Sequence, residues 1–293
     1  MTLAESRPAG AAPAAKGRLA ILAGEGTLPV EVASAAVAAG RRVVIVALEG
    51  AFDARLRNFD LRVVRWGQLG ILEECGRAMG VTEVVLVGSV HSRPDFRSIR
   101  LDFGALRLLP RILKGVVGGD DNALSFAAKM IEEHGFRVVG PYEVAPALVA
   151  SSGHVAGPRV PSGIAADIEA GMRAAKSIGT LDIGQAAVAV HGRIAAVEAA
   201  EGTDAMIARV GGLHAEGRLK WQGRDGVMVK CAKPQQDLRV DTPTIGPRTV
   251  EAVAKAGLAG IAIEAGSVMI VDRAETNAVA KRTGTFVVAV DSR

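Results

Sequence analysis

The sequence predicts an α/β protein with a Rossmann-like, doubly wound N-terminal domain, a linker and a second, C-terminal α/β domain. Three observations support this prediction. Short aliphatic runs alternate with helix-like segments through residues 18–140, which is typical of a parallel sheet covered by helices on both faces. A stretch rich in Ser, Gly and Pro follows at residues 150–162. The chain has 293 residues, enough for two domains that each bury a core.

The first domain is predicted over residues 18–149. Five strands are predicted, in chain order, from RLAILAG, RVVIVALEG, LRVVRWG, EVVLVGSV and FRVVG. Helices are predicted over residues 28–39 and 69–79, and a third runs to His134 from a cap at Asp120 or Asp121. Residues 1–17 contain two prolines and lack the apolar core of a secretory signal, so we expect a disordered leader.

The second domain is predicted over residues 163–293, after a linker at residues 150–162. A helix over residues 164–178 is followed by AAVAVHGRIAAVE, which predicts a hairpin that turns at His191 and Gly192. Later strands are predicted from GVMVKC, GLAGIAIEAG, SVMIVD and TFVVAV, and later helices over residues 203–210, 249–256 and 274–282.

Composition and charge exclude several classes of protein. The net charge of +4 suits anionic ligands such as nucleotides, but aromatic residues make up only 3% of the chain and no long Lys/Arg tract is present. A nucleic-acid-binding protein is therefore not predicted. No window has 18 consecutive apolar residues, so a spanning helix is not expected. Cys75 and Cys231 have no CxxC partner, which favours reduced thiols in the cytoplasm.

A glycine-rich turn follows the first predicted strand. In AGEGTLP, Gly24 and Gly26 precede a helix that begins at Leu28, and the free N–H groups of such a helix bind phosphate. Pro29 stands where the dinucleotide fingerprint has its third glycine. Glu49 nevertheless ends the second strand, near the place of a ribose-binding acid. An NAD(P)-dependent oxidoreductase therefore stays open, and a tight βα turn without a ligand is the other alternative.

Further nucleotide contacts are predicted where later strands end. Ser89 ends the fourth strand, and His91 and Arg93 follow it. Because ligands of open α/β sheets bind beyond the carboxyl ends of strands, Ser89 is a candidate contact. His91 is more readily explained as an ordinary loop residue. One residue of the pair Asp120 and Asp121 would cap a helix, and the other, Asp121 in our assignment, could contact the ribose or base.

The polar segment GRDGVMVKCAKPQQDLRVDTPTIG, residues 223–246, carries the strongest sign of a site. Beyond the short strand it shows neither helical nor strand periodicity, and prolines and glycines interrupt it. Carboxylates beside lysines suit a divalent cation with a phosphate, because Mg²⁺ takes one or two carboxylates and completes its shell with substrate phosphates. A polar connecting loop with structural ion pairs is the alternative. Its charged candidates are Asp225, Lys230, Lys233, Asp237, Arg239 and Asp241.

A second acidic group precedes this segment. VEAAEGTDAMIARVG carries Glu198, Glu201 and Asp204 on a strand-to-helix turn, with Thr203 as the predicted helix cap. Acids at this position either bind a cation or stabilise a helix N-terminus. The basic, apolar residues 106–117 either touch a membrane or form a buried helix with snorkelling cations.

Several of these segments together resemble a known family. AGEGTLP, VEAAEGTDAMI, and VKCAKPQQDLRVDTPTIG followed by AGLAGIAIEAG resemble the LpxI-type UDP-2,3-diacylglucosamine pyrophosphatases of bacterial lipid A synthesis, in order and spacing across residues 18–290. The resemblance implies Mg²⁺-dependent hydrolysis of the substrate pyrophosphate to UMP and 2,3-diacylglucosamine 1-phosphate (lipid X). It also implies a uridine-nucleotide domain and a lipid-binding domain. A lipid substrate suggests transient, peripheral contact with the inner membrane, and a homodimer is left open.

The resemblance assigns roles to the candidates. Asp225 is the leading catalytic carboxylate, as a Mg²⁺ ligand or as the group that orients water. We expect the domains to close over the substrate, and a non-catalytic nucleotide-sugar- or lipid-binding protein stays a third alternative. The remaining assignments are Lys230, Lys233 and Arg239 for phosphate charge; Asp237, Asp241, Glu201 and Asp204 as further metal ligands, Asp237 also as a catalytic group; and Gly24, Gly26, Leu28, Ser89, Asp121 and Thr244 for the substrate.

Overall fold

The computed structural model describes residues 17–65, 68, 70, 76, 78–89 and 120–292. Several sequence predictions fall outside these described residues. They are the leader 1–16, most of the predicted helix 69–79 with Cys75, the residues His91 and Arg93, and the basic stretch 106–117.

The first half of the chain forms a five-stranded sheet in the order β3-β2-β1-β4-β5, and every pairing in it is parallel. The chain order reverses between β1 and β4, so the carboxyl ends of these strands form the topological switch point. The predicted Rossmann-like sheet is confirmed. Its strands are β1 Arg18–Ala23, β2 Val43–Leu48, β3 Leu61–Val64, β4 Val81–Val87 and β5 Arg137–Val138.

Helices cover this sheet. Leu19, Ile21 and Ile45 are fully buried, and burial on both faces explains why the strands read as nearly continuous aliphatic runs. The helical elements are α1 Leu28–Ala38, α2 Asp120–Glu133 and α3 Pro141–Val144, with 3₁₀ turns at Ala54–Asn58 and Pro146–Leu148.

The second half forms a six-stranded mixed sheet in the order β6-β13-β11-β9-β7-β8. Its strands are β6 Gly153–Ala156, β7 Ala186–Val190, β8 Arg193–Val197, β9 Val227–Lys230, β11 Gly260–Glu264 and β13 Phe286–Val290. A separate two-stranded sheet pairs β10 Thr244–Ile245 with β12 Met269–Ile270. The 3₁₀ turn Ser162–Ile164 leads into α4 Ala165–Thr180, and the later helices are α5 Thr203–Ala215, α6 Pro247–Lys255 and α7 Arg273–Thr283.

Strand direction gives the second sheet two distinct edges. Strands β9, β11 and β13 run parallel, and β8 shares their direction because β7 lies antiparallel between β8 and β9. We call the edge where β8, β9, β11 and β13 end the carboxyl edge. The opposite, amino edge carries their first residues and the turn between β7 and β8.

The connection between the two sheets is shorter than the sequence predicts. Residues 153–156, inside the predicted linker 150–162, form β6 and pair antiparallel with β13. This strand is easily missed because it lies at the sheet edge, has only 4 residues and buries just Ala156. The linker prediction is therefore wrong over β6.

The two halves of the chain are in direct contact. Val240, on the loop after β9, packs against a core cluster of the first sheet that includes Ile131 of α2. Glu31 of α1 accepts a hydrogen bond from the Asp272 backbone N–H at 2.8 Å. Among the residues that the structure describes, none of the helices is both long and apolar enough to cross a bilayer.

Candidate functional site

The glycine-rich turn lies at the switch point of the first sheet. The Glu25 N–H donates to the Ser89 carbonyl at 2.7 Å, and the Ser89 N–H donates back to Glu25 at 3.2 Å. A Cβ atom at Gly24 would lie 2.5 Å from the Ser89 carbonyl oxygen, so this close approach requires glycine. Gly26 is exposed and Leu28 begins α1. The structure thus brings four predicted nucleotide contacts together, where such folds bind nucleotides.

The structure gives less support to nucleotide contacts at Asp121 and Glu49. Asp121 lies in the first turn of α2, and its side chain is outside the described part of the chain. Glu49 pairs with Arg65 at 2.8 Å on the surface. The carboxylate that an NAD-binding protein would use for ribose is therefore already engaged, and the oxidoreductase alternative gains no support.

A buried polar cluster lies at the carboxyl edge of the second sheet. Lys230, the last residue of β9, donates from Nζ to Thr203 Oγ1 at 3.1 Å, and Thr203 donates to Glu198 Oε1 at 2.7 Å. Glu198 also accepts from the Gln185 backbone N–H at 3.0 Å. Glu198 and Lys230 are only 6% and 9% exposed. We call Glu198, Thr203 and Lys230 the lysine cluster.

Two opposing effects act on the pKa of Lys230. Burial lowers its pKa, while the carboxylates of Glu198, Asp204 and Asp241 act to raise it. Asp204 and Asp241 come from different segments and both act electrostatically on the buried amine. Asp204 also lies 3.5 Å from Arg248 on the surface. Desolvated, mutually perturbing charged groups at the carboxyl ends of strands are typical of reaction sites, and this is the best candidate in the second sheet.

Thr203 takes part in this cluster and does not cap α5. Gly202 occupies the N-cap position with a φ of 81°, and Thr203 is the first helical residue. The prediction of a cap at Thr203 is wrong. A capping hydroxyl accepts a hydrogen bond from the helix backbone. Here the tertiary partners Glu198 and Lys230 take that hydroxyl.

The polar loop 231–243 begins against the end of α4. Lys233 Nζ lies 2.8 Å from Asp182 Oδ1, and the Gln235 side chain donates to the Gly179 carbonyl at 2.8 Å. Lys233 was predicted to contact phosphate. In the structure it fixes the start of the loop, and its contact with phosphate stays a prediction.

The other end of the loop is held by Arg239. Its guanidinium donates to Asp237 in a bidentate pair at 3.0 and 2.8 Å and to Glu132 of α2 at 2.8 Å. The hydrogen bond from Arg239 is the main reason that the pKa of Asp237 is lowered. Asp237 would have to leave this pair to bind a metal, and Arg239 would have to leave it to bind phosphate.

The remaining acidic candidates differ in how far they are committed to other groups. Asp241 accepts from the Gln236 side-chain amide, and its own N–H donates to the Asp237 carbonyl at 3.0 Å. Glu201 pairs with Arg209 at 2.7 Å. The pKa of Glu201 is lowered, first by its own backbone N–H and then by Arg209.

Asp225 lies at the amino edge, away from the other candidates. Its Oδ2 contacts His191 Nε2 at 2.7 Å, and its Oδ1 accepts from the Gly226 N–H at 2.7 Å. Strand β9 separates it from Lys230, and five residues of extended chain span about 16 Å. Asp225 therefore lies at the opposite edge of the second sheet from Lys230, and its predicted role as a metal ligand stays a prediction.

A cavity of about 400 Å³ adjoins Asp225, lined also by Asp167, His191 and Arg224. Asp167 accepts from the Gly192 N–H, and Arg224 donates to the Leu258 carbonyl at 2.9 Å. The His191–Asp225 pair joins the β7–β8 turn to the start of β9, and Asp167 of α4 holds the same turn. These contacts give Asp225 a structural role, and its predicted catalytic role stays a prediction.

Thr244 lies in β10, which pairs with β12, and is partly buried. Its predicted contact with the substrate stays a prediction.

The acidic residues near Lys230 suit a metal ion only with help from the substrate. Within the described residues, no group of three His, Cys, Asp or Glu could hold a metal. Mg²⁺ commonly takes one or two carboxylates and completes its shell with water and phosphate oxygens. Asp204 and Asp241 are two carboxylates that both act on Lys230, and their number and chemistry suit Mg²⁺ bound together with a phosphorylated substrate.

Comparison with known proteins covers both sheets. Residues 18–148 match the family model of the LpxI N-terminal domain, and residues 151–288 match that of the LpxI C-terminal domain. The UDP-2,3-diacylglucosamine pyrophosphatase LpxI of Caulobacter vibrioides is 40% identical over 274 residues, which cover 94% of this chain and 98% of that protein. The boundary between the two matches falls immediately before β6.

Proposed function

The chain belongs to the LpxI family, and from that premise we propose that it hydrolyses UDP-2,3-diacylglucosamine with Mg²⁺ in lipid A synthesis. The products are UMP and 2,3-diacylglucosamine 1-phosphate. The observation that carries the proposal is the buried lysine cluster at the carboxyl edge, flanked by Asp204 and Asp241. It lies in a chain whose similarity to the Caulobacter pyrophosphatase covers 94% of its length.

The cluster suits the chemistry of a phosphoanhydride. Hydrolysis depends on aligning water with the bond to be broken and on stabilising charge on the phosphate oxygens. Water attacks the β-phosphorus, the bond to the bridging oxygen breaks, and UMP leaves with that oxygen. The Lys230 ammonium, held by Thr203 against Glu198, stabilises the phosphate charge from a fixed position.

Asp204 and Asp241 are the residues that would hold Mg²⁺. When bound, the ion neutralises phosphate oxygens and lowers the pKa of a coordinated water. The Asp241 backbone N–H donates to the Asp237 carbonyl, so the loop fixes the position of the Asp241 backbone.

The first sheet binds the uridine nucleotide in this proposal. The switch point offers the turn of the buried Gly24 and the exposed Gly26, the start of α1 at Leu28, and Ser89 just after the neighbouring strand β4. Backbone N–H groups at such a turn suit the phosphates. Closure of the domains, contact with the membrane surface, a cytoplasmic location and a homodimer stay predictions that accompany the proposal.

The test is hydrolysis of the defined substrate. Purified protein is incubated with UDP-2,3-diacylglucosamine, with Mg²⁺ or with EDTA, and UMP and the lipid phosphate are quantified. We expect both products only with the metal, and in ¹⁸O-labelled water we expect the label in the lipid phosphate. Absence of UMP from folded protein would reject the pyrophosphatase. UMP formation in EDTA would reject Mg²⁺, and label in UMP would reject attack at the β-phosphorus.

A further inference from the structure

The turn after α4 exposes two large apolar side chains. Leu181 is 70% exposed and Ile183 is 45% exposed. Asp182 between them has a φ of 57°, a left-handed conformation that is uncommon for residues other than glycine. Turns usually carry Gly, Asn, Asp, Ser or Pro, so a leucine and an isoleucine here are not explained by turn chemistry. We call residues 181–183 the apolar tip.

The apolar tip is attached to the loop of the proposed reaction site. Asp182 accepts from Lys233 Nζ at 2.8 Å. Just before the tip, a Cβ atom at Gly179 would lie 3.3 Å from both Lys233 Cα and Pro234 Cδ. The end of α4 therefore packs closely against the loop at Lys233 and Pro234. Lys233 follows Lys230 by three residues.

A second connection reaches the lysine cluster itself. Gln185, two residues after Ile183, donates its backbone N–H to Glu198 Oε2 at 3.0 Å and accepts from the Cys231 N–H at 3.0 Å. The tip is thus bounded on both sides by residues bonded to the carboxyl edge. Other exposed large hydrophobic residues in the described part of the chain lie elsewhere. Ile194 belongs to the first residues of β8, at the amino edge, and Val37 and Val63 belong to the first half of the chain.

We propose that Leu181 and Ile183 contact the acyl chains of the bound lipid substrate. The inference rests on the proposed function. The acyl chains are covalently attached to the sugar whose phosphate reacts, so the surface that receives them must adjoin the groups that hold that phosphate. Only the tip combines exposed hydrocarbon with attachment to Lys233 and Glu198 among the described residues. Burial of this hydrocarbon against acyl chains removes apolar surface of both partners from water.

The test compares chain lengths in a double variant. Leu181→Ser with Ile183→Ser is assayed on the long-chain substrate and on an analogue with two butyryl chains. We expect kcat/KM for the long-chain substrate to fall about tenfold or more, since each side chain loses most of its apolar contact. We expect the butyryl analogue to be hydrolysed at the wild-type rate. Ile194→Ser is the matched control, because Ile194 is 42% exposed at the other edge, and it should change neither value.

The other outcomes reject the assignment. An unchanged kcat/KM, or an equal fall for both chain lengths in a variant with wild-type circular dichroism, shows that the tip does not receive the acyl chains. Loss of flotation with phosphatidylglycerol vesicles lacking substrate, together with wild-type long-chain kinetics in micelles, identifies the tip as a bilayer contact instead. If the wild type hydrolyses neither substrate, the proposed function itself fails, and this inference fails with it.

Discussion

Arg239 in the loop after β9 and Glu132 at the end of α2 form an ion pair of 2.8 Å that joins the second half of the chain to the first. Arg239 is held at the same time by Asp237. The next residue, Val240, packs against the core of the first sheet. The position of Asp241, one residue further on, therefore depends on a helix of the first half of the chain.

This dependence predicts a kinetic effect of Glu132→Gln. The pair is partly exposed, so its loss should reduce the free energy of unfolding by at most about 1 kcal/mol. We expect kcat/KM to fall severalfold because the loop that carries Asp241 is less well fixed. Glu251→Gln is the matched control, since Glu251 and Arg282 form a surface pair of 3.2 Å between α6 and α7. Equal kinetics of the two variants would show that the Glu132 contact does not position the loop.

Because Asp225 and Asp241 lie at different edges of the sheet, we expect the same substitution to affect turnover differently at the two positions. Asp241→Asn should lower kcat by about 100-fold or more, as removal of groups that stabilise transition-state charge commonly does. Asp225→Asn should keep turnover close to wild type, although it weakens the contact that fixes His191 and lowers the thermal midpoint. Steady-state UMP release and thermal unfolding measure both effects. A fully inactive, folded Asp225→Asn protein beside an active Asp241→Asn protein would restore the role predicted from sequence.

Strand patterning explains why the fold was predictable while this site was only partly so. Runs such as RLAILAG identify parallel strands because they are buried on both faces, and the glycine turn identifies the switch point because Gly24 must approach Ser89. These strand patterns do not predict which loops lie side by side at an edge of the sheet. Asp225 and Asp237 are close in sequence, but β9 runs between Asp225 and the loop that holds Asp237.

Tertiary partners account for the other differences. Thr203 has the sequence position of a cap, and only the fold shows that Glu198 and Lys230 take its hydroxyl. No sequence pattern singles out Glu132 or Asp182 as residues that hold the polar loop. Their ion pairs span 107 and 51 residues of sequence, and no local pattern reports contacts at that separation.

Lys230 predicts the alkaline limit of activity. Its ammonium form exists below the pKa in the folded protein, and burial lowers that pKa from the ordinary lysine value. The charge is therefore lost as pH rises through a value below the ordinary lysine pKa. The decline of kcat/KM should begin there. Lys230→Arg keeps its charge throughout this range and should lose that decline, whereas Lys233→Arg should retain it. Identical alkaline profiles of the wild type and Lys230→Arg would remove Lys230 from the reaction.

Cys231 predicts a thiol that does not react in the folded protein. It is fully buried, and burial raises its pKa to about 12, so almost no reactive thiolate is present near neutral pH. In a Cys75→Ser variant, we expect no reaction with Ellman's reagent under native conditions and one thiol per chain in denaturant. Rapid labelling of the native variant would show that the start of the polar loop opens in solution.

The glycine turn predicts a specific loss of nucleotide binding. In Gly24→Ala the new methyl group would lie 2.5 Å from the Ser89 carbonyl oxygen, so β1 and β4 must separate at the switch point. We expect the affinity for UDP, measured by calorimetry, to fall about tenfold or more because the crevice is distorted. Gly40→Ala is the control. Its φ is 74° and no atom lies within 4 Å of the new Cβ, so it should destabilise the fold through backbone strain alone and leave UDP affinity unchanged. Wild-type UDP affinity in Gly24→Ala would place the nucleotide outside this crevice.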